Sequence, residues 1–331
     1  MARPGRPLTA DAVRFVRALA LTATALLVAA CATPQTDAVR ASMRGTHDTL
    51  GIDPAHDLGD HVPYYAQEKD QCGPAALAMV LGATGSRITP DSVRASVFTP
   101  GRHGSFAPEM LAAARRQGRL AVQLPPRLDA VLREVDAGNP VIVLQNLGLA
   151  IYPVWHYSVV VGYDVPAGVI WLRSGPEPHE GMFMEVFEHT WDRSGDWAMV
   201  ATDPRRLPVT PSLDALLDAA AALERVDVRA SHRAYAALTR RAPRSYAAWM
   251  GLGNSAFEMD DPADAVTAFR RAVALEPAAA DAWNNLAASL LAQHRIAGAR
   301  AAIARALALG GAHHDLYRQT AREIDRAGKT P

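Results

Sequence analysis

The chain reads Gln67-Glu68-Lys69-Asp70-Gln71-Cys72-Gly73-Pro74-Ala75-Ala76-Leu77 at the point that sets its expected fold. Cys72 stands directly before a Gly-Pro pair and an apolar run, and proline is common in the first turn of a helix. We therefore predict a helix over residues 73–81, with Cys72 immediately before its N-terminus. The positive end of its dipole would lie against the sulfur and lower the pKa of the thiol, and Gly73 would leave space for a substrate backbone. Cys72 is thus a candidate nucleophile.

A second stretch offers a partner for the thiol. Residues 156–163 read His-Tyr-Ser-Val-Val-Val-Gly-Tyr, a composition typical of a β-strand. His156 opens this strand, so its ring can project at the end of a sheet toward the predicted helix. A thiolate and an imidazolium would then form an ion pair, and His156 would protonate the leaving amine.

The order of the elements predicts an α+β domain over residues 61–205. Helical patterns dominate up to residue 137, whereas strand patterns dominate from residue 140 to residue 201. Helices followed by an antiparallel sheet are typical of the α+β class. A Pro-rich segment at residues 203–208 predicts the end of this domain.

Together, the two stretches resemble peptidase family C39, the bacteriocin-leader-processing peptidases and their stand-alone relatives, over about residues 60–200. The resemblance implies a papain-like cysteine peptidase with Cys72 as nucleophile and His156 as general acid and base. It also implies an oxyanion hole formed by the backbone N–H of Cys72 and a Gln side chain. Gln67 is the first choice, although it lies one residue closer to the cysteine than in many members of the family, and Gln71 is the alternative.

The third catalytic group departs from the family pattern. The family usually places an Asp at the end of the strand that follows the His strand, but residues 171–175 read Trp-Leu-Arg-Ser-Gly. Ser174 stands at or near that position and would orient the imidazole by a hydrogen bond. Asp164 is expected in the turn at the far end of the hairpin. The missing carboxylate leaves an alternative open, a catalytically weak or inactive papain-like protein that recruits a partner.

The C-terminal part of the chain repeats with a period of 34 residues, which separates Trp249 from Trp283, Leu252 from Leu286 and Pro243 from Pro277. This is the period of tetratricopeptide repeats, in which each unit is a pair of antiparallel helices. We predict an all-α repeat domain over residues 212–325, with a degenerate first unit at 212–245. Such repeats usually bind a peptide or protein, but about three of them could instead simply pack on the peptidase domain.

The N-terminus predicts a lipoprotein. A cationic start is followed by an uncharged apolar run at residues 18–30, which is too short to span a bilayer and fits a secretory signal. Small residues before Cys31 resemble a bacterial lipobox, which implies cleavage after residue 30 and lipidation of Cys31. Ala32 favours the outer membrane, facing the periplasm. Residues 32–60 are polar and are interpreted as a tether.

The composition of the chain limits the kinds of partner and cofactor that we expect. The chain of 331 residues carries 34 basic and 34 acidic side chains, and this balance gives no indication of a nucleic-acid partner. No Walker loop and no metal-ligand spacing is present, so neither ATP, a metal nor another cofactor is expected. If Cys31 is lipidated, Cys72 is the one remaining cysteine, which suggests a reactive thiol or a disulfide to another chain, with a buried inert cysteine as the alternative. The expected partners are a peptide or protein substrate, the membrane through the lipid anchor, and a protein on the repeats.

Overall fold

The computed structural model describes residues 32–44, 50–67, 71–99 and 104–329. The predicted leader, residues 1–31 with the lipidation candidate Cys31, lies outside these ranges. The described residues form a sheet-containing domain followed by an all-helical domain, which confirms the predicted α+β class and the helical repeats. Among them, no helix is both long enough and apolar enough to cross a bilayer.

Within the described ranges, the N-terminal domain alternates short helices with nine strands. Its helices are α1 Pro34–Arg44, α2 Cys72–Ala83, α3 Pro90–Val97, α4 Ala107–Arg116, α5 Leu128–Asp136 and α6 Met184–Asp192. Its strands are β1 Ala55–Asp57, β2 Phe98–Thr99, β3 Gly104–Ser105, β4 Leu120–Gln123, β5 Val141–Asn146, β6 Trp155–Asp164, β7 Val169–Ser174, β8 Glu177–Phe183 and β9 Ala198–Thr202. The strands predicted from the sequence correspond to β5, β6, β7 and β9.

The main sheet has the strand order β4-β9-β5-β6-β7-β8, and its paired strands are antiparallel. The long strand β6 lies at its centre and pairs along its first part with β5, where Gln145 faces His156. Its last residues pair with β1, where Ala55 faces Asp164. His156 therefore lies at one end of the sheet and Asp164 at the other.

Helix α2 is buried against this sheet. Its residues from Gly73 to Leu81 are all buried, and Leu77, Met79 and Leu81 are inaccessible to solvent. A helix that is apolar all round must lie inside a core, and α2 shares one core with β5, β6 and β9. The central strand and this helix together fix the position of Cys72 at the first residue of α2.

The structure corrects the expected tether over residues 32–60. Residues Pro34–Arg44 form helix α1, which packs on the domain and buries Thr36 and Val39. The backbone N–H groups of Gln35 and Thr36 donate to the Glu188 carboxylate at 2.9 and 2.7 Å. A carboxylate at a helix N-terminus satisfies free N–H groups and complements the dipole. A segment whose polar composition suggested a linker is therefore held on the domain by the first turn of α1.

The helical domain contains three helix pairs and a final helix among the described residues. The helices are α7 Leu213–Glu224, α8 Val228–Arg241, α9 Tyr246–Glu258, α10 Pro262–Leu275, α11 Ala280–Ala292, α12 Ile296–Leu309 and α13 His314–Ala327. The repeat is visible in its contacts, because the indole N–H of Trp249 donates to Pro243 O at 2.9 Å and that of Trp283 donates to Pro277 O at 3.0 Å. Equivalent residues thus perform the same task in successive units.

The first helix pair packs on the sheet-containing domain. Leu120 and Val122 of β4 share a core with Leu216 of α7 and Leu238 of α8. A helix pair that covers the terminal strand β4 protects a sheet edge from unwanted pairing. Of the two roles considered for the repeats, packing on the preceding domain therefore holds for this first unit.

Candidate active site

Cys72 is half-buried and is the first residue of α2, which begins one residue earlier than predicted. The reason for the adjacent glycine differs from the expectation. A Cβ at Gly73 would lie 2.3 Å from Ser105 Oγ and 2.6 Å from Ser105 Cβ, which no real side chain tolerates. Gly73 is therefore required first by the close approach of β3, and the space it leaves is taken by the protein itself.

Tyr157 connects the two candidate catalytic residues. It directly follows His156 in β6, it is buried, and its hydroxyl donates to Ser105 O at 3.3 Å. Burial raises the pKa of Tyr157 strongly, and negative charges on Cys72 and Glu109 raise it further. The sulfur therefore lies within electrostatic range of the residue next to His156, at the end of the sheet where β6 begins.

His156 is half-buried and is held by Ser174. The distance between His156 Nε2 and Ser174 Oγ is 3.0 Å, and Ser174 itself is buried at the end of β7. When Nε2–H donates to this hydroxyl, the other nitrogen, Nδ1, carries the lone pair that can accept a proton. Burial lowers the pKa of His156, so the neutral ring is favoured near neutral pH.

Gln67 ties the strand of His156 to the turn after β7. Its Nε2 donates to Tyr157 O at 3.2 Å, its Oε1 accepts from Gly175 N at 3.0 Å, and its backbone N donates to Gly175 O at 3.0 Å. One of the two Nε2 hydrogens is thus committed to the backbone, while the second is available for an oxyanion. Sequence reasoning missed this positioning role, since nothing in the sequence shows which backbone groups a Gln side chain will reach.

Gln71, the alternative donor, precedes Cys72 and is half-buried. Its side chain makes no hydrogen bond to any residue within the described ranges, and it does not cap α2. Asp164 lies where it was expected, at the far end of the β6–β7 hairpin, and accepts from Ala167 N at 2.8 Å. It therefore plays no part at His156.

Two further polar side chains lie beside the neighbours of the candidate catalytic residues, Ser105 beside Gly73 and Glu109 within electrostatic range of Tyr157. Ser105 Oγ and Glu109 Oε2 are both buried, and neither has a hydrogen-bond partner among the residues that the structure describes. Glu109 is close enough to act on Tyr157 electrostatically. Buried acceptors of this kind favour a ligand that brings donors, such as the N–H groups of a peptide. No pattern in the sequence singles out these two residues.

One group of side chains elsewhere has metal-ligand character. Asp53, His56 and Asp136 each offer one ligand atom, and these atoms lie within 4.8 Å of one another. Asp136 Oδ1 already accepts from Tyr163 Oη at 2.8 Å and from Asp53 N at 3.1 Å. The group thus joins β1 to α5. It lies at the end of the sheet opposite His156.

The described chain combines a cysteine at the start of a buried helix, an antiparallel sheet whose central strand carries His156 at its second residue, and a following set of paired helices. Residues 60–199 match the Peptidase_C39 like family, and residues 216–258 and 251–313 match the Tetratricopeptide repeat. The resemblance predicted from the sequence is thereby confirmed for both parts of the chain.

Among solved structures, the chain is similar to a crystal structure from Bacillus anthracis described as a C39-like peptidase, with 17% identity and a TM-score of 0.38 over 45% of this chain and 98% of that one. It is also similar to the MamA RS-1 ArsTM double mutant, with 14% identity and a TM-score of 0.29 over 36% of this chain and 76% of that one. A comparison with curated proteins found no match.

Proposed function

We propose that the protein is an envelope-anchored cysteine peptidase in which Cys72 attacks a peptide carbonyl and His156 transfers the protons. The observation that carries this proposal is the fixed imidazole. Ser174 holds Nε2 of His156 at 3.0 Å and leaves Nδ1 for the thiol, at the sheet end where α2 begins. A positioned base beside a thiol at a helix N-terminus is the arrangement that cysteine nucleophiles need.

The reaction follows from these groups. His156 Nδ1 takes the proton from Cys72 Sγ, and the sulfur attacks the carbonyl carbon. The oxyanion that forms accepts hydrogen bonds from the backbone N–H of Cys72 and from a Gln side chain, for which Gln67 remains the first choice. His156 then gives its proton to the leaving amine, and a thioester remains. Water, deprotonated by His156, hydrolyses the thioester and regenerates the thiol.

Replacing the usual Asp by Ser174 changes the electrostatics of this pair. A hydroxyl fixes the orientation of the ring, but it carries no charge that would stabilise an imidazolium. Because burial also lowers the pKa of His156, the population of the neutral thiol and neutral imidazole rises relative to that of the thiolate–imidazolium ion pair. We therefore propose a peptidase whose activity rises toward neutral and slightly alkaline pH and is weak in acid.

Attachment and partners complete the proposal. The proposed lipid on Cys31 anchors the chain to the outer membrane, facing the periplasm, and the helical repeats bind a protein partner. The first helix pair is occupied by its contact with β4, so we assign partner binding to the units from α9 onward. The substrate is a peptide or protein, in agreement with the buried acceptors of Ser105 and Glu109.

Trapping of the covalent intermediate tests this function. The chain without residues 1–31 contains Cys72 as its one cysteine, so a peptidyl chloromethyl ketone panel can be read by intact mass. We expect a single adduct on the parent protein and none on Cys72→Ser. His156→Ala should slow adduct formation by about a hundredfold or more, the contribution of a positioned acid–base group. Equal labelling of the parent and His156→Ala by every peptide would instead indicate a binding protein with an ordinary thiol.

A further inference from the structure

The segment that connects β5 to β6, taken together with the first residue of β6 as residues 147–155, exposes a contiguous set of large apolar side chains. They are Leu147, Leu149, Ile151, Tyr152, Val154 and Trp155, and Ile151 is 77% exposed. The segment, which we call the 147–155 hairpin, contains no charged residue. Exposed apolar patches of this kind mark a surface that is covered in use.

The 147–155 hairpin is ordered by its own backbone. Leu147 N donates to Val154 O at 2.9 Å, and Tyr152 N donates to Leu149 O at 3.1 Å. The buried Asn146 accepts from Gly148 N at 3.0 Å and from Val154 N at 2.9 Å. Backbone groups bonded to one another can leave water at little cost, which is the condition that a lipid environment imposes.

The hairpin lies at the end of the domain where the described chain begins. Gln35 Nε2 donates to Asp196 Oδ2 at 3.3 Å. Arg193, three residues before Asp196, donates to the carbonyl groups of Asn146 and Gly148, and three residues span at most about 11 Å between Cα atoms. Gln35 is therefore close to the base of the hairpin.

Cys31 precedes Gln35 by four residues, a stretch that spans at most about 14 Å. Because α1 is docked on the domain rather than extended as a tether, a lipid on Cys31 would hold this end of the domain directly against the bilayer surface. The side chains that this end presents are those of the 147–155 hairpin. Aliphatic side chains enter the acyl boundary, whereas Tyr152 and Trp155 suit the headgroup region.

We propose that the 147–155 hairpin inserts into the surface of a lipid bilayer and orients the candidate active site toward it. The orientation rests on the anchor proposed above, whereas the affinity of the hairpin for lipid does not. Since Trp155 directly precedes His156, insertion brings the mouth of the site to the membrane surface. Substrates are then met at the headgroup level, on segments that emerge from or lie on the membrane.

Flotation with vesicles of phosphatidylethanolamine and phosphatidylglycerol tests the insertion. The chain without residues 1–31 keeps the three apolar cores, which extend from Val39 to Ile324, and it carries no anchor. We expect it to float with the vesicles and its Trp fluorescence to be quenched by brominated lipids, a quenching that Trp155→Phe reduces. Ile151→Ser should weaken vesicle binding by about tenfold or more, the effect of withholding one large apolar side chain from lipid.

Phe183→Ser is the matched control, because Phe183 is 65% exposed but lies at the opposite end of the sheet, paired with Val169. It should leave vesicle binding unchanged. The proposal is overturned if the parent chain does not float, or if Phe183→Ser weakens binding as much as Ile151→Ser. It is also overturned if Ile151→Ser keeps full vesicle binding but slows labelling by apolar peptidyl ketones, since the hairpin would then serve the peptide instead.

The same samples separate this inference from the proposed function. Reaction of Cys72 with iodoacetamide, a small probe that needs no hairpin, should be equal in the parent, Ile151→Ser and Phe183→Ser. An unreactive Cys72 together with hairpin-dependent flotation refutes the peptidase and leaves the membrane contact standing. A reactive Cys72 without flotation refutes the membrane contact alone.

Discussion

Nε2 of His156 lies 3.0 Å from Oγ of Ser174, so a neutral hydroxyl holds the imidazole where relatives of this domain would be expected to use a carboxylate. Ser174 is buried and lies at the end of β7, the strand that pairs with the His156 strand β6. The bond fixes the ring without adding negative charge. In the candidate site, Ser174 orients the His156 ring but does not stabilise its positive charge. Substitutions at Ser174 can therefore measure the two effects separately.

Replacing Ser174 tests this separation. Ser174→Ala removes the hydrogen bond, worth about 0.5–1.5 kcal/mol, so we expect a three- to tenfold loss of turnover with the pH profile unmoved. Ser174→Asp adds an opposite charge, which raises the pKa of a neighbouring imidazolium by about one to three units. Its rate profile should extend to lower pH. A profile of Ser174→Asp that coincides with that of the parent would contradict the assignment of Ser174 as the orienting group.

Gln67 and Gln71 are distinguished by what they bind. Gln67→Ala removes the two side-chain bonds that join Tyr157 O to Gly175 N, so we expect a loss of about 1–3 kcal/mol in the free energy of unfolding. If Gln67 also donates to the oxyanion, the turnover of Gln67→Ala should fall by about a hundredfold or more under conditions in which the variant is still folded.

Gln71→Ala is the control for this pair. Its amide has no bond to a described residue, so stability should be unchanged in urea titrations. A loss of turnover in Gln71→Ala without one in Gln67→Ala would transfer the oxyanion role to Gln71.

The charged carboxylate of Asp196 destabilises the folded protein at neutral pH. Burial and the charges of Asp192 and Glu188 raise the pKa of its carboxyl to about 6. A carboxyl whose folded pKa lies above its unfolded value favours the native state only below that unfolded value, and the benefit is lost as pH rises through 6. Asp196→Asn should therefore stabilise the protein by about 1 kcal/mol at pH 7, after allowance for partial exposure.

The backbone at Asp196 has φ of 54°, a conformation that Asn tolerates as well as Asp. Thermal unfolding at two pH values provides the check. The gain should vanish near pH 4, where Asp196 is protonated in the parent. An equal gain at both pH values would show that charge is not the cause.

Two glycines of the repeats make a matched pair. A Cβ at Gly253 would lie 2.5 Å from the ring of Phe269, whereas one at Gly298 would lie 3.4 Å from Leu290 Cδ1. Overpacking costs about 1–3 kcal/mol, so Gly253→Ala should destabilise the helical domain. Gly298→Ala should be neutral or stabilising by up to about 1 kcal/mol, because alanine favours the helix. Circular dichroism melts compare the two, and equal destabilisation would argue against the close approach of α9 to α10.

The sequence predicted those elements whose formation depends on residues that are neighbours in the chain. Gly-Pro after Cys72 predicts a helix start, and β-branched runs predict β5, β6, β7 and β9. The 34-residue period predicts the helix pairs. Strand β8 was missed because Glu-Pro-His-Glu-Gly-Met-Phe has neither the composition nor the alternation of a strand, and it forms at an exposed edge where pairing with β7 supplies the order.

Long-range contacts explain the remaining differences. Helix α1 depends on Glu188, which is more than 150 residues away in the chain. Gln67 depends on Gly175 in the same way, and Gly73 depends on Ser105. None of these partners can be read from the residues that surround the motif. The candidate catalytic residues and the orienting Ser174 were therefore predicted by residue type and spacing, whereas the contacts made by Glu188, Gly175 and Ser105 were not.

The measurement that tests the central claim most directly is the rate of Cys72 alkylation by iodoacetamide as a function of pH, with His156→Ala beside the parent chain lacking residues 1–31. A thiol paired with an imidazole at a helix N-terminus should react at about pH 6 to 7 at least tenfold faster than a free thiol, whose pKa is about 8.5. His156→Ala should lose most of this enhancement and keep only the part that the helix N-terminus supplies. Two superimposed curves that both follow a free thiol would contradict the pairing of Cys72 with His156 and, with it, the peptidase.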